Sequence, residues 1–124
     1  MYKIMVVDDE VHIRMLYKKE FEQEGFEVVL VPGAEGALAA MAAHRPDLVV
    51  LDIELGGENG LELLNLMRQT YRECPIILNS AYSTYKSDFQ SWLADAYVMK
   101  SSDLRPLKDK VRSLLTETAG DRRI

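Results

Sequence analysis

One cysteine, Cys74, in 124 residues rules out an internal disulfide and fits a reducing compartment. Basic residues are outnumbered as well: 15 Lys and Arg against 20 Asp and Glu leave a formal net charge of -5. No clustered basic face offsets that balance, which argues against direct nucleic-acid binding. No apolar run reaches membrane-spanning length, and the opening MYKIMVVDDE meets acids too early to form the core of a secretory signal. A cytoplasmic protein that does not engage membranes is expected. Internal repeats and low-complexity tracts are absent too. What is present is ordinary for one globular domain: 48% apolar and 28% charged residues, in a chain long enough to bury roughly two-thirds of its unfolded surface.

Short apolar runs alternate with segments of helical period. Strands are predicted at Lys3 to Val7, Glu27 to Val31, Leu48 to Leu51, Pro75 to Leu78 and Ala96 to Met99. Between them lie predicted helices. Val11 to Glu24 carries Ile13, Leu16, Tyr17 and Phe21 on one face, and Gly25 stops it. Ala34 to Ala43 turns Leu38, Met41 and Ala42 inward, and Leu61 to Tyr71 turns Leu61, Leu64 and Met67. Thr84 to Leu93 presents Tyr85, Phe89 and Trp92 as a core stripe, and Asp103 to Leu115 presents Leu104, Leu107, Val111 and Leu114. Strand and helix in strict alternation imply an α/β fold with a doubly wound five-stranded parallel sheet. The domain is expected to span residues 1–115, with 116–124 a polar tail or the start of a linker.

Charged residues stand where the strands stop: Asp8 and Asp9 after KIMVV, Asp52 after DLVVL, Lys100 after AYVM. In a parallel sheet all strand ends of one polarity share an edge, and open α/β sheets bind ligands there, at the switch point. Acids after the first and third strands make those strands neighbours, which the order 2-1-3-4-5 satisfies. Two carboxylates about 5 Å apart repel by roughly 3 kcal/mol at an effective dielectric near 20, so the cluster calls for a cation.

The segments VVDDE, LVVLDIELGGENGLELL, IILNSAY and AYVMK resemble, in order and spacing, the receiver domain of two-component response regulators, a flavodoxin-like fold, from Lys3 to about Leu115. The resemblance implies that Asp52 is the phosphoacceptor, a carboxylate nucleophile. It implies that Mg²⁺ is held by Asp9 directly, by Asp8 through water, by Asp52 and by the backbone carbonyl of Glu54, an oxygen set that suits this ion. Lys100 matches the lysine that pairs with the phosphoryl group. Ser80 matches the hydroxyl that bonds it, with the Ala81 amide alongside, and Tyr97 matches the aromatic switch residue. The Glu54 side chain is placed to tune the lifetime of the phosphorylated state. The implied partners are a sensor histidine kinase or histidine phosphotransfer protein as donor and a downstream protein target. The target would read the surface of the fourth helix, fifth strand and fifth helix. Such a domain catalyses its own phosphorylation and dephosphorylation and is not a turnover enzyme in the usual sense.

Each residue also has a plainer reading. Asp9 suits an N-cap of the first helix, Lys100 a solvated lysine, Ser80 a partner for a buried backbone group, and Tyr97 a core ring with its hydroxyl at the surface. His12 and His44 lack any partner at metal-ligand spacing. Three departures from the family pattern stand out. Gly56 and Asn59 replace a proline and an aspartate in the turn before Gly60, and Ser101 replaces the proline after the lysine. A cis Lys100–Ser101 peptide would cost roughly 2.5 to 4 kcal/mol, so a trans bond is expected. Two other functions compete: a small Mg²⁺-dependent phosphohydrolase with Asp52 as nucleophile, and an interaction module independent of phosphorylation.

Overall fold

A computed structural model describes residues 1–81 and 92–121, with side chains through residue 117. Its central sheet contains β1 (Lys3–Val7), β2 (Glu27–Val31), β3 (Leu48–Leu51), β4 (Ile76–Ser80) and β5 (Ala96–Met99), all parallel, in the order β2-β1-β3-β4-β5. This is the predicted topology. The described helices are α1 (Val11–Gln23), α2 (Ala37–His44), α3 (Gly60–Thr70) and α4 (Arg105–Asp121). Most of the predicted helix from Thr84 to Leu93, including Tyr85 and Phe89, falls on residues 82–91 and so lies outside the described ones; only its last two residues, Trp92 and Leu93, are described.

Strand alternation explains the two layers. Met5, Val7, Val49, Leu51, Ile76 and Leu78 face one core, filled by Met41 of α2 and by Leu61, Leu64 and Met67 of α3. Ile4, Val6, Leu48, Val50 and Ile77 face the other, filled by Tyr17 and Phe21 of α1 and by Leu107, Val111 and Leu115 of α4. β3 is fully buried and central, as its lack of in/out alternation predicts.

Several expectations are corrected. Leu16 is exposed, because the buried stripe of α1 runs through Tyr17 and Phe21 and leaves the neighbouring position facing out. Ala42 is exposed and Ala37 buried: α2 begins only after Gly36, whose left-handed backbone (φ 82°) sets the later start and a different inward face. Trp92 is 72% exposed and is no part of either core. α4 continues to Asp121, past the predicted end at Leu115. β4 runs two residues beyond Leu78, which makes Asn79 and Ser80 strand residues. Among the described residues no helix is long and apolar enough to cross a membrane.

Between β3 and α3 the chain forms a small antiparallel hairpin, Glu54–Leu55 against Glu58–Asn59, where only a turn was expected. Gly56 and Gly57 close it with φ of 56° and 93°, angles that proline's fixed negative φ forbids. The glycine at position 56 therefore builds a different turn. Asn59 caps α3, its Oδ1 accepting from the Leu61 amide at 2.8 Å.

Candidate functional site

Sheet register assembles the site. Val7 pairs with Leu51, Leu51 with Leu78, and Ser80 with Met99, so β1, β3, β4 and β5 end along one edge. Asp8, Asp52 and Lys100 are the residues that follow three of those ends. The ladder continues into them: the Asp52 amide donates to the Val7 carbonyl at 2.9 Å, and the Lys100 amide to the Ser80 carbonyl at 2.7 Å.

The Lys100 ammonium lies 2.8 Å from Asp8 Oδ2, 3.1 Å from Asp52 Oδ2 and 3.7 Å from Glu10 Oε1. Asp8 is 2% and Asp52 5% exposed, so both carboxylates depend on this cation. Asp8 is fully engaged, its Oδ1 accepting from the Glu10 amide at 2.9 Å. Arg14 Nη1 donates to the Asp8 carbonyl at 2.7 Å, which ties α1 to the end of β1. Burial pushes the Asp52 carboxyl up to about 6; Lys100 opposes this and the negative charge of Asp8 adds to it. Burial by itself would lower the Lys100 pKa, but its hydrogen bond to Asp8 and the charges of Asp52 and Asp8 hold it above its ordinary value.

Asp9 is exposed and does not cap α1; the N-cap position is Glu10, which makes no side-chain capping bond. The carboxylates of Asp8, Asp9 and Glu10 lie within 4.8 Å of one another, a cluster able to hold a metal ion. Glu10 was not singled out from sequence. Its signal was the unbroken run of three acids, whose third member reads as the start of a helix. Asp52 and Glu54 share a cavity of about 280 Å³ with Asp9 and Glu10, and Ser80, Ala81 and Lys100 line its other side. Carboxylate oxygens around a water-accessible cavity fit a hard divalent cation such as Mg²⁺. Of the residues expected from sequence, Asp9, Asp52 and Glu54 thus line one cavity and Asp8 adjoins it through its cluster with Asp9 and Glu10, the residue the structure adds.

Ser80 is fully buried and hydrogen-bonded to the half-buried Tyr97. Burial raises the Tyr97 pKa, and the bond to Ser80 opposes the rise. Glu54 is exposed, and its amide approaches Asp52 Oδ1 at 3.3 Å. The Lys100–Ser101 peptide is trans, as expected, and Ser101 Oγ accepts from the Asp103 amide at 3.1 Å.

Comparison with known proteins agrees with this geometry. The response regulator receiver domain family matches residues 4–112. Sporulation initiation phosphotransferase F of Bacillus subtilis is 30% identical over 115 residues, covering 91% of this chain and 93% of that protein. The nitrogen assimilation regulatory protein NtrX of Azorhizobium caulinodans is 36% identical over 98 residues, 77% of this chain but 22% of that protein. Most of the curated relatives are longer in this way, and the chain spans about half of their length or less. Among solved structures, the response regulator TrrA of Thermotoga maritima in complex with Mg²⁺-BeF is 46% identical, with a TM-score of 0.89 over 92% of this chain and 99% of that one. TrrA in complex with the histidine kinase ThkA matches with a TM-score of 0.87, 46% identity, 93% of this chain and 99% of that one.

Proposed function

The chain belongs to the response regulator receiver domains of two-component signalling, and from that membership we propose that it takes a phosphoryl group from a phosphohistidine donor onto Asp52. The observation that carries this reading is the position of Lys100, whose ammonium lies between two buried carboxylates at the mouth of a small cavity that Ser80 and Ala81 also line. Asp52 attacks phosphorus, the nitrogen–phosphorus bond breaks, and the imidazole leaves with a proton. Water later reverses the modification and releases inorganic phosphate. Lys100 turns from Asp8 and Asp52 toward the incoming phosphoryl oxygens, a charge-assisted pairing. The Ser80 hydroxyl and the Ala81 amide supply donors on the opposite side, and Tyr97 follows Ser80.

Asp9, Asp52 and the Glu54 carbonyl would hold Mg²⁺, which offsets the negative charge that gathers on the phosphoryl oxygens. Asp8 is already occupied by Lys100 and the Glu10 amide, which favours a role through water. The exposed Glu54 side chain at the cavity rim is placed to tune hydrolysis. The domain thus catalyses its own phosphorylation and dephosphorylation and is not a turnover enzyme in the usual sense. A histidine kinase is the expected donor, as the TrrA pairing with ThkA suggests. A downstream protein would read the face that includes β5 and α4.

Intact mass after incubation with phosphoramidate and Mg²⁺ is the test. One phosphoryl group should accumulate on the protein and be absent from Asp52→Asn, whose amide is no anionic nucleophile. Phosphoramidate turnover without accumulation would mean a phosphohydrolase, and no reaction would mean an interaction module. Labelling of Asp52→Asn at the wild-type rate would place the acceptor elsewhere.

A further inference from the structure

Beneath the carboxylate edge, two buried polar side chains join three elements. The Tyr17 hydroxyl, on α1, donates to Asn79 Oδ1, on β4, at 2.5 Å, across 62 residues of chain. Asn79 Nδ2 in turn donates to the Val98 carbonyl, on β5, at 2.9 Å. Tyr17 and Asn79 are each 2% exposed. Burying an amide and a phenol costs free energy unless both are bonded, and here both are. Apolar packing is non-directional, whereas a hydrogen bond weakens steeply with misalignment. Two such bonds meeting on one side chain therefore fix the height of α1 and of β5 along β4 more tightly than core packing alone.

What they fix is the site. Asn79 immediately precedes Ser80, and Val98, its partner in register, lies two residues before Lys100. Tyr17 is on the helix whose Arg14 holds the Asp8 carbonyl, and its ring is set by an edge-on contact with Phe21 at 6.0 Å. Its hydroxyl also feels the charges of Lys100, Asp8 and Asp52, so it lies within electrostatic reach of the cluster.

We propose that Tyr17 and Asn79 are positioning residues for phosphoryl transfer, holding Ser80 and Lys100 in place relative to Asp52. This deepens the phosphoacceptor reading and rests on it. Neither residue touches the phosphoryl group; each acts through the strand ends it fixes. Displacement of a catalytic group by about 1 Å can slow a reaction by up to about a hundredfold.

The test separates positioning from stability. Tyr17→Phe and Asn79→Leu each strand a buried polar group and should lower the urea midpoint. In the double variant the Tyr17 and Asn79 side chains are both apolar and of similar shape, so the stability lost with the bond between them should return, leaving only the loss of the Asn79 bond to the Val98 carbonyl. Labelling by phosphoramidate at saturating Mg²⁺, followed by intact mass, should nevertheless stay about tenfold slower than wild type in the double variant. If the double variant folds poorly, Tyr17→Phe, smaller by one oxygen, is assayed well below its unfolding midpoint and should also label more slowly. A well-folded double or single variant that labels at the wild-type rate would overturn the inference alone. A wild-type protein that takes up no phosphoryl group would overturn the phosphoacceptor reading and this inference with it.

Discussion

Gly60 packs against the backbone of Asp52 so closely that a Cβ placed on it would lie 2.2 Å from the Asp52 carbonyl oxygen, and 2.8 Å from the Ile53 Cα. The atoms in the way are main-chain atoms, which cannot swing aside as a side chain would. The Gly60 amide also donates to the Ile53 carbonyl at 2.6 Å, so the first residue of α3 serves as a stop for the end of β3.

Gly60→Ala should therefore displace Asp52. The expected cost is about 1 to 3 kcal/mol, the range for overpacking a tight site, read from urea denaturation. Phosphoramidate labelling should fall with it. A variant as stable and as quickly labelled as wild type would mean that the contact relaxes without consequence.

Asp52 gives a pH signature in chelator. Its folded pKa of about 6 lies above the ordinary 3.8. Between these values the folded state binds more protons than the unfolded one, so stability falls as pH rises through this window. The penalty is absent below about pH 4, complete above about pH 6, and at most about 3 kcal/mol. Asp52→Asn should then raise the urea midpoint in EDTA at pH 7.5, with a gain that shrinks toward pH 4. An equal gain at both ends would assign the effect to something other than ionisation.

Lys100→Ala leaves Asp8 and Asp52 buried with no cation between them. Breaking a buried ion pair typically costs about 3 to 5 kcal/mol. A loss of that order is expected in EDTA at pH 7.5, and Mg²⁺ should restore more stability to this variant than it adds to wild type. Thermal melts with and without the ion decide; an equal Mg²⁺ effect on both would separate the metal from these two carboxylates.

Asp9→Ala should weaken Mg²⁺ binding more than Asp8→Ala, because Asp9 is exposed to the cavity whereas Asp8 is spent on Lys100 and the Glu10 amide. Isothermal titration measures both variants. Equal losses, or the reverse order, would move Asp8 into direct contact with the ion.

Glu54→Ala should alter the decay of phosphorylated protein and leave its formation unchanged, since the exposed side chain stands at the rim of the cavity. The check is phosphate release after rapid removal of phosphoramidate. Decay identical to wild type would make the residue a bystander.

The layered sheet, its order, and the convergence of Asp8, Asp9, Asp52 and Lys100 were legible in the order of residues alone. Those features follow from local rules: strand and helix periods are written in consecutive residues, and parallel strands must end together. Tertiary structure decided what depends on how one layer settles on another. Leu16 and Ala42 have core-like side chains at helical spacing, yet they are exposed, because the faces that α1 and α2 bury are set by their docking angle and starting residue. Asn79 reads as a polar interruption in an apolar strand and Tyr17 as an ordinary core ring; only the seating of α1 on the sheet brings the hydroxyl to the amide. Gly60 reads as a turn glycine until β3 and α3 are side by side. Hydrogen bonds and close contacts between distant segments carry no sequence period, so docking alone fixes them.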